Sequence, residues 1–332
     1  MIHSSKVQKC PICGKSVFVK KFKARPLDYG MSEDFDIVFC DNCGHGMTEV
    51  FSPKDADLLY ETGNYDIHEN RFRQLIGSSL LILEENKVRM VRKWMRSGSI
   101  FEVGTGKGKF LQMAQEAGFI VNGIEPSKRS LSFAKRRLGS AVTSQTLHVY
   151  AGNTNVKHDA VCMWHVLEHL SDPKEALEDV KNILEDGGIL MLAVPNFGSF
   201  QSNWGRANWY HLDPPRHLHH FLDQGLRRLL EDLGFEILEI FYGSFYQNWM
   251  GDLLTILNLV SPAKNAIINF LKSNKPFYEE NGLVLSYGSL LWNLILLPIL
   301  LVPTLAFTLA SQLLKKSGTI VIFAKLDKGT FN

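Results

Sequence analysis

Three clusters of residues in this 332-residue chain have the types and spacing to do chemistry. The first is Ile100-Phe101-Glu102-Val103-Gly104-Thr105-Gly106-Lys107-Gly108-Lys109-Phe110-Leu111, an apolar run that reaches an acid, turns through three glycines at alternate positions and enters a helical pattern. Glycines there let the backbone take positive φ and approach a ligand closely, and the helix start behind them offers unpaired N–H groups. Val121-Asn122-Gly123-Ile124-Glu125-Pro126-Ser127 follows as a second short strand ending in an acid, which can accept hydrogen bonds from two ribose hydroxyls. The second cluster is two C-x-x-C turns, Cys10 with Cys13 and Cys40 with Cys43, each followed by glycine and separated by 26 residues. Four sulfurs converging on one ion fill a tetrahedral shell, so the site would be structural and closed to catalysis. Disulfides are the alternative, and a reducing compartment opposes them.

The third cluster lies beyond Pro195. It contains Phe197, Phe200, Trp204, Trp209, Tyr210 and Arg216, with four histidines, His211, His217, His219 and His220, inside ten residues. No helix-face pair of the H-E-x-x-H type occurs among them and prolines interrupt the stretch, which argues against a metal. A histidine near neutral pKa can take a proton from an acceptor hydroxyl. His217 is the first choice for that base and His220 the second; the alternative is that these side chains cap the helix starting near Asp223 and hold the loop.

The elements that must position these groups follow from alternation. Strands are expected at 99–103, 120–124, 159–163, 189–194 and 235–242, with a poorly marked one within 141–150, and helices near 108–117, 127–137, 174–184 and 223–233. Gly187-Gly188 is expected to end a helix as a C-cap. Residues 51–97, where apolar positions recur at helical spacing from Phe72 to Met95, predict a helical connector or lid. Strand–helix alternation implies a doubly wound α/β sheet with ligands at the strand C-termini. Cys162, alone in an apolar strand, is expected to be a buried thiol.

With these segments in order, the chain resembles the class I S-adenosylmethionine (SAM) methyltransferases, whose first motif has the form Glu-x-Gly-x-Gly-x-Gly; a dinucleotide loop reads G-x-G-x-x-G. The segment His158 to Leu170, with Asp159 and Glu168-His169, resembles the stretch that lines the cofactor pocket in that family. The resemblance implies a Rossmann-like seven-stranded sheet with an antiparallel last strand. It implies Glu102, Gly104, Thr105, Gly106 and Gly108 on the methionine side of SAM, Glu125 and Pro126 at the ribose, and Asp159 to His165 bordering the pocket, with Trp164 as an adenine-side wall. The acid that family members carry after the third strand is missing from Ala141 to Leu147. Tyr60 and Tyr65 would either touch the methionine end or pack helices onto the sheet. Pro215-Arg216-His217-Leu218-His219-His220-Phe221 resembles a signature of the type 23 subfamily, found among enzymes acting on small molecules, sugars and lipids. Trp209, Tyr210 and Arg216 would then meet the acceptor, and the aromatics Phe197, Phe200, Trp204 and Trp209 would stack on a ring or pack the core. The cysteine pairs resemble a zinc ribbon, which implies a structural zinc.

Composition limits the rest. A net charge of +2 against 36 basic residues leaves no large electrostatic footprint for nucleic acid. The first residues lack a long apolar core, so no signal peptide is read and the cytoplasm is expected. Between the last two expected strands, Phe235 to Tyr242 and Gly318 to Lys325, 75 residues intervene, and Asn281 to Leu314 holds no charge over 34 residues. A chain that must return to the same sheet has to leave and re-enter on one side. Pro298 and Pro303 predict two half-length helices, 283–297 and 304–314, meeting at a bend in one leaflet. Lys272, Lys275, Lys315 and Lys316 would meet anionic headgroups, and Trp249 to Val260 would lie flat at the interface. A buried homo-oligomer interface or a lid over a greasy substrate is the alternative.

The expected organisation is therefore a zinc ribbon (1–50), a helical connector (51–97), a methyltransferase domain (98–243 with 318–332) and an apolar membrane-interacting insertion (244–317). The expected activity is SAM-dependent methylation, by default on oxygen, of a membrane lipid, lipid-linked sugar or surface-glycan precursor at the inner face of the cytoplasmic membrane. A deoxysugar C-methyltransferase is a rival, though a further C-terminal domain of that group is not seen. A zinc-ribbon ribosomal RNA methyltransferase would have no use for the apolar run. From another class comes a membrane-tethered scaffold with a vestigial SAM fold.

Overall fold

The computed structural model describes residues 9–16, 18–26, 34–49, 84–243, 245–272, 278–279 and 281–327. Tyr60, Tyr65, Lys275 and the connector before residue 84 lie outside them. In chain order the strands are β1 (Phe18–Ala24), β2 (Phe35–Cys40), β3 (Gly46–Thr48), β4 (Ser99–Val103), β5 (Ile120–Ile124), β6 (Val142–Thr143), β7 (His158–Trp164), β8 (Leu184–Pro195), β9 (His219–His220), β10 (Phe235–Phe241) and β11 (Thr319–Leu326). The α-helices are α1 (residues 84–94), α2 (Lys109–Glu116), α3 (Lys128–Leu138), α4 (Leu147–Asn153), α5 (Pro173–Ile183), α6 (Phe200–Gly205), α7 (Asp223–Asp232), α8 (Phe245–Val260), α9 (Ala266–Lys272) and α10 (Leu283–Leu313). They form two compact units.

One unit comprises Gln74–Val194, Leu226–Phe241 and Val321–Asn332. Its sheet has the order β10-β11-β8-β7-β4-β5-β6, and β10 pairs antiparallel with β11 while β4, β5, β6, β7 and β8 run parallel. This is the seven-stranded α/β sheet with a reversed last strand that the resemblance implies. Strand interiors such as Ile100, Phe101, Val161, Leu190 and Leu192 are fully buried, as helices on both faces of a parallel sheet require. The weakly marked third strand is the two-residue β6, too short to leave a period in the sequence. Gly187 and Gly188 do not cap a helix. Helix α5 ends at Ile183, and both glycines lie inside the long strand β8, next to a register shift against β7. Gly187 takes φ 77° there, so its role is an irregularity in a strand and not a helix stop.

The other unit comprises Met1–Arg73, Pro195–Gly225 and Tyr242–Ile320. Its sheet is β1-β2-β3-β9, all antiparallel. Met47 pairs with His219 and Gly46 with His220, so the strands of the cysteine-bearing segment continue into the histidine segment, across the boundary expected at residue 50. Ala24, Ile37, Phe39, Trp209 and Leu212 form its small core. The apolar insertion belongs to this unit as α8, α9 and α10. Helix α10 runs uninterrupted through Pro298 and Pro303, which corrects the expected pair of half-helices. Each proline removes one N–H donor. Next to Pro303 the Thr304 hydroxyl is shared between Leu300 O and Leu301 O, so a side chain serves carbonyls of the same turn. Within the insertion α8, which carries the segment Trp249 to Val260, packs against α10, with Trp249 Nε1 donating to Thr304 Oγ1 at 2.9 Å.

Candidate functional site

The glycine loop sits at the C-terminal end of the central strand β4, where a parallel sheet presents ligands. Gly104, Gly106 and Gly108 all have positive φ (72°, 54° and 74°). A Cβ on Gly104 would fall 2.8 Å from Val166 Cγ2, and one on Gly108 would fall 3.1 Å from Ala134 Cα. At Gly106 a Cβ would meet nothing within 4 Å, so the middle glycine faces open space. Glu125, at the end of β5, braces this turn. Its Oε2 accepts from Gly106 N at 2.7 Å and its Oε1 from Ser127 N at 2.9 Å.

Glu102 is 3% exposed, and its Oε2 has no hydrogen-bond partner among the described residues. Burial pushes its carboxyl up to about 8, with the Lys87 ammonium of α1 opposing the rise. Thr105 Oγ1, Trp164 Nε1 and Glu168 Oε2 are likewise buried without partners there. His165, the first residue after β7, holds φ 55°, with its N–H donating to Ala193 O and Nδ1 lying 3.2 Å from Glu168 Oε1. A non-glycine residue at positive φ beside orphaned buried polar atoms points to a binding loop. Lys87 was not singled out from sequence, because its segment reads only as a helical connector; Glu168 was named there as part of the segment resembling the pocket lining. Asp159 does not border this site. It opens β7 at the opposite strand end, where its carboxylate accepts from Ser99 N and Ser99 Oγ. Pro126 lies in the turn between β5 and α3, beside Glu125.

The two C-x-x-C turns converge. Cys10 Sγ is 3.6 Å from Cys43 Sγ, Cys13 Sγ is 3.5 Å from Cys40 Sγ, and all four lie within 4.8 Å of one another. In both turns the glycine after the second cysteine takes positive φ and donates back to the first cysteine, Gly14 N to Cys10 O and Gly44 N to Cys40 O, each at 2.8 Å. Zinc–sulfur bonds of about 2.3 Å in a tetrahedron require sulfurs about 3.8 Å apart. The cluster therefore fits a tetrahedral four-thiolate ion.

The histidine segment is built into the same sheet. His220 is buried, its Nε2 lies 2.9 Å from Thr48 Oγ1, and burial with the neighbouring His219 holds it down at about 3. His45 Nε2 lies 3.0 Å from His219 Nδ1, and burial keeps His45 well below the usual histidine range. His220 is thus held in a buried hydrogen bond with its basicity lowered, which makes it a poorer candidate for the base than the sequence suggests. His217 is also buried; its Nδ1 donates to His211 O at 2.8 Å, and its Nε2 lies 4.0 Å from Asp213 Oδ2. Arg216 forms an ion pair with Asp213 within the same turn. Trp209 is fully buried, its Nε1 donating to Gln201 Oε1, so it packs the core and offers no stacking face. Tyr210 is half-buried, with its N–H on Thr255 Oγ1. Phe200 and Trp204 pack on Phe307 of α10. Phe197 tilts onto Phe39 at 4.8 Å, and the two line a surface cleft with Asp41, Asn203 and Leu222.

Among curated proteins, the chain is 29% identical over 107 residues to the ubiquinone biosynthesis O-methyltransferase of Haemophilus ducreyi; the match covers 29% of this chain and 45% of that protein, so it spans under half of the relative's length. Among solved structures, a SAM-dependent methyltransferase from Archaeoglobus fulgidus aligns with a TM-score of 0.46 at 16% identity, over 74% of this chain and 94% of that one. Coclaurine N-methyltransferase aligns with a TM-score of 0.47 at 11% identity, over 73% and 72%. The sequence pattern of the methyltransferase-domain family (type 23) matches residues 67–240, more than half of the chain, and the chain belongs to that family.

Proposed function

We propose that this protein transfers the methyl group of SAM to an acceptor held at a membrane surface, most simply onto oxygen. The observation that carries the reading is the orphaned, buried carboxyl of Glu102 behind a positive-φ glycine loop that Glu125 braces. SAM, when bound, supplies an electrophilic methyl on a sulfonium. Glu102 would face the ammonium of its methionine end, a cation that draws the proton off the buried acid. The Glu125 carboxylate keeps acceptor capacity beyond its two backbone donors for ribose hydroxyls. Trp164 and His165 at the end of β7, with Thr105, would complete the walls. His217, tautomer-fixed through Nδ1, is the residue suited to receive a hydroxyl proton. Four thiolates would hold a structural zinc that fastens β2 and β3 and, through them, the histidine strand β9.

The relative from Haemophilus ducreyi is an O-methyltransferase by name, which favours oxygen. The membrane half of the proposal is supported by α10, long and apolar enough to cross a bilayer. The acceptor would then be a lipid, a quinone-like ring or a lipid-linked sugar reached from the inner face of the cytoplasmic membrane. The test is calorimetric titration of SAM into detergent-purified protein, followed by labelled SAM with a membrane lipid extract. Binding and label in an extractable lipid or glycolipid are expected. Gly106→Arg, which fills the open space at the middle glycine, should abolish SAM binding without unfolding the chain. Wild-type affinity in that variant would remove the cofactor assignment, and absence of binding in the parent would favour a vestigial fold.

A further inference from the structure

Helix α10 is built inside out. Its buried residues are Ser286, Ser289, Asn293, Thr304, Thr308 and Ser311, all polar. Its exposed residues include Val284 (90%), Val302 (73%) and Leu313 (84%), with Leu291, Ile295, Ile299, Leu305 and Leu309 between them. At about 100° per residue the six polar positions share an arc of roughly 100°, and the exposed large apolar positions sweep roughly 200°.

Ser289, Thr304 and Thr308 of the polar arc fasten it to neighbouring segments, while Ser286 Oγ and Asn293 Oδ1 are buried without hydrogen-bond partners among the described residues. Thr308 Oγ1 donates to Asp252 Oδ2 of α8 at 2.6 Å, and Ala263 N donates to Ser289 Oγ at 2.9 Å. Asp252 Oδ1 in turn accepts from Gln201 Nε2, whose Oε1 accepts from Trp209. Small and polar residues toward the protein with large apolar residues outward is the arrangement that water penalises and hydrocarbon favours. We infer that α10 lies within the hydrocarbon of a bilayer entered from one side, its polar arc against α8 and its apolar arc against acyl chains. This deepens the membrane half of the function proposed above and is independent of cofactor chemistry.

Two observations choose lipid over a second copy of the chain. A single flat partner covers one stripe of a helix, whereas this arc wraps more than half of it. Lys315 and Lys316, exposed directly after the apolar arc, supply the charge that anionic headgroups complement. Entry from one side follows from the sheet: Phe241, where the chain leaves β10, is the register partner of Val321 in β11, where it returns. With 16 residues α8 spans about 24 Å, short of a hydrocarbon core of about 30 Å.

The test places a photo-crosslinking amino acid at Val284, Val302 or Leu309, and at Ser289 as the inward control, in the full chain on vesicles of phosphatidylethanolamine and phosphatidylglycerol. Phospholipid adducts at the three outward positions, absence of them at Ser289, and retention through an alkaline carbonate wash are expected. Chain-to-chain adducts at the outward positions, or release by salt alone, would overturn the inference. Ile295→Arg, on the exposed arc where no neighbour has to move, should lower the vesicle-bound fraction about tenfold or more; unchanged binding counts against it. Repeating the crosslinking with Gly106→Arg separates the two readings, because lipid adducts should persist there whether or not SAM binding is lost.

Discussion

Glu102 shows what a single residue contributes. Its folded-state value, about 8, lies above the ordinary 4.5, so the acid stays protonated in the native protein across that interval. A carboxyl raised in this way stabilises the fold fully below about pH 4.5, and its contribution is lost as pH rises through 8, at a limiting slope of about 1.4 kcal/mol per pH unit. Thermal unfolding of the SAM-free protein should therefore weaken from pH 5 to 8 (roughly the interval between the two values), and Glu102→Gln should flatten that trend. Because the cofactor's cation favours the ionised acid, SAM binding near neutral pH should release close to one proton. Calorimetry in buffers of different ionisation heat reads this directly; no proton release would place Glu102 away from the cofactor. The histidines divide in the same manner. His220→Ala should cost about 2–3 kcal/mol of stability through a lost buried hydrogen bond and packing, with kcat per folded molecule unchanged. His217→Ala, which also removes a buried hydrogen bond, should lower kcat per folded molecule by about 10²–10⁴. If the two variants exchange these behaviours, the assignment of the base is wrong. The loop glycines and both acids were legible because their chemistry resides in residue type and spacing. Trp209 was not: an aromatic reads alike as an acceptor wall or as core, and only its full burial against Gln201 decides.

At the scale of elements, legibility followed periodicity. Strands β4, β5, β7 and β10 and the amphipathic helices fall where the succession of apolar runs and helical patterns put them. Strand β9 could not be read. It has two residues, and its partner in β3 lies more than 160 residues away, so nothing local marks it. Helix α10 was misread at its prolines, since sequence shows the missing donors but not the Thr304 hydroxyl or the packing of α8 around them. The β3–β9 pairing carries a prediction that local reading would not make. Replacing Cys10 and Cys13 with Ser should lower bound metal and stability together. It should also raise amide exchange at Gly46 to Thr48 and at His219 and His220 in concert, since Met47 pairs with His219 and Thr48 meets His220. Faster exchange confined to the cysteine turns would show that the histidine strand stands without the metal, and unchanged metal content would remove the ribbon.

The whole molecule has two compact units with separate cores. One is built on Phe101, Leu111, Val161 and Leu190 under the glycine loop, the other on Ile37, Phe39, Trp209 and Leu212 beside the cysteine cluster. The glycine loop and both of its acids belong wholly to the first unit, and the four cysteines wholly to the second. A ligand stabilises the structure that holds its site, by about 2.7 kcal/mol at a hundredfold excess over Kd. Calorimetric melting of the full chain in detergent should accordingly show two transitions that answer to different reagents. SAM should raise the transition of the sheet unit and leave the other in place. A zinc chelator should lower the transition of the cysteine unit and leave the first, together with its response to SAM, intact. Gly106→Arg should abolish only the SAM shift, and the Cys10 and Cys13 double variant only the chelator shift. A single transition displaced by both reagents would mean that the units melt as one cooperative body, and loss of SAM binding on chelation would make the metal part of cofactor capture and not of scaffold strength alone.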